Sequence, residues 1–109
     1  MKLVIFGLGR EGYSNYKFLK QITPEAEIIL TDDQPLENLS AVWKTILLHD
    51  QLTAFVQSVY FTQNLDKQSA IILSPGIKPT HPLLQKFEGQ QIFITNNTQI
   101  CLELCRPEL

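Results

Sequence analysis

The sequence predicts an α/β fold: an open, parallel, five-stranded sheet with helices on both faces. Short, almost purely apolar runs recur along the chain, among them "LVIF", "EIIL", "AIIL" and "IFIT". Runs of that kind lack the in-out alternation of a strand with one wet face and fit strands covered on both sides. Segments of helical spacing lie between them, as right-handed crossovers between parallel strands require. The third observation is size: 109 residues, 44% apolar and 18% charged, suit one domain with a modest core.

Lys2–Phe6 is the first strand, closed by Gly7. Tyr13, Tyr16, Leu19 and Lys20 follow at helical spacing, which predicts a helix over Gly12–Lys20. "TPEA" breaks that pattern, and Glu27–Leu30 is the second strand, ending at Thr31, Asp32 and Asp33. "TILL", Thr45–Leu48, is expected as the third strand. The stretch after it fits a helical period at its start and a strand-like alternation from Val56 to Phe61; a helix over Leu52–Ser58 is the favoured reading. Ala70–Leu73 is the fourth strand and stops at Ser74, Pro75 and Gly76. A helix begins near Pro82, where proline suits the first helical position and Thr80 or His81 can cap. Ile92–Thr95 is the fifth strand, and a last helix covers Thr98–Leu104. The whole is Rossmann-like.

Nine basic against eleven acidic residues give a net charge of -2, without the positive field on which nonspecific nucleic-acid binding relies. The apolar runs are too short to span a bilayer, and the chain starts on a strand pattern rather than a signal peptide, so no membrane association and a cytoplasmic location are expected. Cys101 and Cys105, four apart, would share a helix face, but a metal site would need further ligands, and small core residues are the simpler reading. Trp43, Tyr13 and Tyr16 read as packing residues, and His81, without a nucleophile to serve, as a capping or surface residue.

Gly7, Gly9 and Gly12 form a G-x-G-x-x-G motif between the first strand and the first helix. The first glycine permits a tight turn, the second lets a ligand approach the backbone, and the third lets the helix pack against the sheet. Unpaired N–H groups and the positive end of the helix dipole then face an anion. The acidic pair Asp32–Asp33 stands about 20 residues beyond, at the end of the second strand, where such folds hold a ribose or base. On these features alone, a dinucleotide-binding domain is the generic expectation.

"SPGIKPTHPLL", Ser74–Leu84, narrows it. This segment resembles the Ser-Pro-Gly-Ile and His-Pro stretch of the Mur ligases, and most closely that of their D-glutamate-adding members. "GLGREGYS", "TDD" and "ITNNTQICLELC" occur in the order and spacing of that family's N-terminal domain, so the resemblance covers essentially the whole chain as one domain. It implies a UDP-binding rather than a nicotinamide-binding site. The backbone at Arg10, Glu11 and Gly12 would hold the diphosphate, with Gly9 beside it; Asp32, Asp33 and Gln34 would lie around the uracil, and Gly76 would border the same pocket. Asp33 and Gln34 stand where relatives can carry Thr and Arg, and Glu11 sets a carboxylate beside the expected diphosphate. The implied ligand is UDP-N-acetylmuramoyl-L-alanine, and the implied reaction joins it to D-glutamate through an acyl phosphate, with ATP and magnesium. No G-x-x-x-x-G-K-[ST] loop occurs in the sequence, so ATP is expected to bind in a central domain that this chain does not contain, and the chain alone is expected to be inactive. A regulatory NAD-binding module and a stand-alone nucleotide-binding domain are the alternatives.

Overall fold

The computed structural model describes residues 2–61, 70–78, 80–85, 87 and 92–96. Five strands form one parallel sheet: β1 (Lys2–Phe6), β2 (Glu27–Asp32), β3 (Thr53–Gln57), β4 (Ala70–Leu73) and β5 (Phe93–Thr95). Their order is β3-β2-β1-β4-β5, so the chain winds outward from β1 in one direction and then returns to its other side. Helix α1 (Arg10–Ile22) links β1 to β2, α2 (Ala41–His49) lies between β2 and β3, and the short α3 (Pro82–Gln85) follows β4.

Strand β1 is central, and Leu3 to Phe6 are all fully buried. Its side chains alternate between two apolar layers. Leu3 and Ile5 join Ile28, Leu30, Ala70 and Ile72 beneath α1 and α2, where Leu19 and Trp43 complete the cluster. Val4 and Phe6 join Ile71 and Leu73 on the other face, covered by Phe61, Leu83, Leu84 and Phe87. Coverage of both faces is why these strands are apolar at every position rather than at every second one.

The stretch from Thr45 to Ser58 corrects the sequence reading, with helix and strand exchanged. Thr45–Leu48 lies inside α2, not in a strand, and Thr53–Gln57 is strand β3, not a helix. Ser40 starts α2: its carbonyl accepts from Trp43 N–H and its hydroxyl faces Val42 N–H. Val42, Trp43, Ile46 and Leu47 then turn one apolar stripe to the core, while Leu48 stands 80% exposed. "TILL" is thus one turn of a longer helical pattern that begins at Val42. Among the described residues β3 is an edge strand paired to β2 alone, with Ile28 opposite Thr53 and Asp32 opposite Gln57, and its half-buried side chains lack the continuous apolar signal of the inner strands. Elsewhere the differences are of length: α1 runs from Arg10 to Ile22, β2 extends to Asp32 and β5 starts at Phe93. The helix expected at Thr98–Leu104, and with it Cys101 and Cys105, lies outside the described residues.

At the amino-terminal end of the sheet, Asp50 ties three elements together. Its carboxylate accepts from the Tyr16 hydroxyl (2.6 Å), the Thr53 hydroxyl (2.7 Å) and Leu52 N–H (3.0 Å), and pairs with Lys20 at 3.1 Å. Burial raises the Asp50 pKa, but the hydrogen bonds from Tyr16, Thr53, Lys20 and Leu52 N–H outweigh it and hold the group at about 2. Burial first, then the bond to Asp50, pushes the Tyr16 phenol up to about 12. The cluster fastens α1 and the start of β3 to each other, far from the loops that follow β1 and β4.

Candidate functional site

Because β1 has β2 on one side and β4 on the other, the loops after β1 and β4 diverge, leaving a crevice at the carboxyl ends of the strands. Open α/β sheets bind ligands at such reversals of strand order. A cavity of about 450 Å³ lies there, lined by residues 7–11, Asp32 and residues 74–77.

The three glycines of the loop differ in what they do. Gly7 turns the chain out of β1 at φ +101°, and an added Cβ would lie 2.7 Å from that of Ser74. Its N–H donates to Thr31 O, and its carbonyl accepts from the Ser74 hydroxyl at 2.7 Å, so the turn is bonded to both β2 and the loop after β4. Gly12 lies in the first turn of α1, where a Cβ would approach Gly7 O to 2.2 Å. Gly9, the N-cap of α1, has ordinary extended backbone, offers no side-chain cap, and would place a Cβ in open space. The N-cap position therefore supplies no side-chain hydrogen bond to the first N–H groups of α1.

Asp32 braces this loop. One carboxylate oxygen accepts from Leu8 N–H at 2.8 Å and the other from Gln34 N–H at 2.9 Å. On the far side of Leu8, the buried Trp43 indole donates to Leu8 O at 2.8 Å. Trp43 is a packing residue, as its T-shaped contacts with Tyr13 and Tyr16 show, and it also anchors the glycine loop.

Of the residues singled out in the sequence, Gly9, Arg10, Glu11, Asp32 and Gly76 line the cavity, while Gly12 supports it from behind. Asp33 and Gln34 are not among the lining residues. The Asp33 carboxylate accepts from the Ser58 hydroxyl and meets His81 Nε2 at 2.9 and 3.0 Å. Gln34 Oε1 accepts from Asn38 Nδ2 at 3.2 Å. His81 does act as a cap, its Nδ1 accepting from Leu83 N–H at 3.0 Å. Ser74, Leu8 and Trp43 are the site-building residues that the sequence reading did not assign; the serine sits within the quoted "SPGI", but only the fold brings its hydroxyl to Gly7. No group of His, Cys, Asp and Glu among the described residues is arranged to hold a metal ion. No helix among the described residues is long and apolar enough to cross a membrane.

Comparison with known proteins points to one family. Residues 1–96 match the family described as Mur ligase MurD-like, N-terminal domain. The UDP-N-acetylmuramoylalanine--D-glutamate ligase of Chlamydia pneumoniae is 31% identical over 102 residues, which are 94% of this chain and 22% of that enzyme. The enzyme of the same name from Rickettsia prowazekii is 36% identical over 84 residues, 77% of this chain and 17% of its own length. That from Desulfitobacterium hafniense is 31% identical over 102 residues, covering 93% and 21%. The chain thus spans about a fifth of the length of the curated relatives it matches. No solved structure gives a significant match. A glycine turn opening α1, an acid at the end of β2 and the Ser-Pro-Gly-Ile loop after β4 are the local features, and with the match over residues 1–96 they place the chain in the Mur ligase MurD-like N-terminal domain family.

Proposed function

We propose that this chain binds the uridine diphosphate end of UDP-N-acetylmuramoyl-L-alanine and so anchors the substrate of a ligase that adds D-glutamate to it. The observation that carries this reading is the uncapped amino terminus of α1 at the cavity, with Gly9 leaving room for an anion against the backbone. The N–H groups of Arg10, Glu11 and Gly12, together with the helix dipole, would hold the diphosphate. Exposed Arg10 adds positive charge beside it and offsets Glu11. Asp32 and Gly76 would border the uridine, with the strand end at Asp33 and Gln34 beyond. ATP and magnesium would supply the activating phosphoryl chemistry. The phosphate loop that holds ATP has no counterpart in this sequence, so the anchoring of substrate is all that its residues would contribute.

The rival reading, an NAD-binding module, asks Asp32 to accept from the hydroxyls of an adenosine ribose. Each of its oxygens already accepts one backbone N–H, from Leu8 and Gln34, so Asp32 braces the loop whichever ligand binds, and titration rather than this geometry decides between the two. Isothermal titration of the chain with UDP and with NAD tests the choice. UDP is expected to bind more tightly; tighter binding of NAD would overturn the proposal.

A further inference from the structure

The loop after β4 forms one wall of the cavity, at residues 74–77, and its far end is fastened outside the cavity. Ile77 N–H donates to Ser74 O and His81 N–H to Lys78 O, two backbone bonds between the wall and the His81 ring. Three groups hold that ring. Nδ1 accepts from Leu83 N–H, which leaves the ring proton on Nε2, aimed at Asp33. The ring of Phe6, the last residue of β1, meets it at 4.7 Å between centroids in a T-shaped contact. The Asp33 carboxylate, at the end of β2, is in turn fixed by the Ser58 hydroxyl just beyond β3.

From this arrangement we infer that Asp33 and His81 are positioning residues, a clasp across the carboxyl edge of the sheet that fixes the 74–77 wall and thereby sets the affinity for the diphosphate ligand without touching it. Asp33 does not line the cavity although its neighbour Asp32 does, and its carboxylate is occupied by Ser58 and His81. The connection reaches from β2 and β3 to the loop after β4, across the reversal of strand order, where β2 and β4 are each paired to β1 and not to each other. A wall held in place before the ligand arrives saves the cost of ordering it on binding. The effect on affinity rests on the uridine diphosphate reading above; the clasp itself does not.

Two substitutions separate the clasp from local folding. In His81→Asn the shorter side chain can still accept from Leu83 N–H as a cap, but it cannot reach Asp33. Asp33→Ala removes the clasp from the other side. Each variant is expected to weaken UDP binding by about threefold to tenfold, and the double variant by no more than the worse single one, because both act through one contact. Amide hydrogen exchange at Ile77 is expected to quicken in both variants, with or without UDP. Losses that add in the double variant would mean that Asp33 acts on the ligand by itself, and would overturn the inference, as would wild-type affinity in His81→Asn. Should the wild-type chain fail to bind UDP, the functional reading falls but exchange still decides the clasp: quicker exchange at Ile77 sustains it, and unchanged exchange refutes it.

Discussion

Gly12→Ala tests how tightly the glycine loop is built into the fold. The added methyl would meet Gly7 O at 2.2 Å, roughly 1 Å inside ordinary contact. Neither side can give way cheaply. The Gly7 carbonyl is held by the Ser74 hydroxyl, and the residue by its N–H bond to Thr31 and a φ of +101°. On the other side, α1 is seated by fully buried Leu19 and by the Tyr16 bond to Asp50. Overpacking of this kind costs about 1–3 kcal/mol and sometimes more, and backbone on both sides puts this site at the upper end. Alanine's better helix propensity returns up to ~1 kcal/mol, so a net loss of about 2–3 kcal/mol is expected. In a domain of this size that lowers the melting midpoint by roughly 10–20 °C. Trp43, the single tryptophan and 1% exposed, reports urea unfolding by its fluorescence. A midpoint for Gly12→Ala within error of wild type would refute the close approach of α1 to the β1 turn.

Gly9→Val should cost less than ~1 kcal/mol of stability, since its φ of -92° suits any residue and the Cβ meets nothing, yet abolish UDP binding in titration by filling the anion's place; unaltered binding would move the ligand off this loop. Asp50 titrates at about 2, below its ordinary 3.8, so the stability it confers is present above pH 3.8 and lost as pH falls through 2. That contribution is at most about 2 kcal/mol, less because the site is partly open to water, and melting midpoints of wild type and Asp50→Asn should converge across that window; parallel curves would contradict the network. Tyr16, raised to about 12, works in the opposite sense, its contribution being present below pH 10 and lost as pH rises through 12. Thr31 Oγ1 is buried without a hydrogen-bond partner among the described residues, so Thr31→Val should raise stability by ~1 kcal/mol in urea unfolding, and a loss of that size would reveal a partner for the hydroxyl.

The residues 2–6, 27–30 and 70–73 declare their strands in the sequence because each lies between two apolar layers, and burial on both sides leaves a continuous local signal. The glycine turn is equally legible, since the backbone that needs Gly7 and Gly12 lies within a few residues of them. Tertiary structure decided the stretch from Thr45 to Ser58. There a short apolar run satisfies either period, and the choice rests on distant partners: Trp43 reaching Leu8 O, and β3 finding the free edge of β2. The detail of the site follows the same division. Sequence spacing put Asp32 and Asp33 side by side as one acidic pair, but alternation along the strand end turns one carboxylate to the glycine loop and the other to Ser58 and to His81, 48 residues away. Such contacts are set by the winding of the sheet, a property no local window of the chain contains.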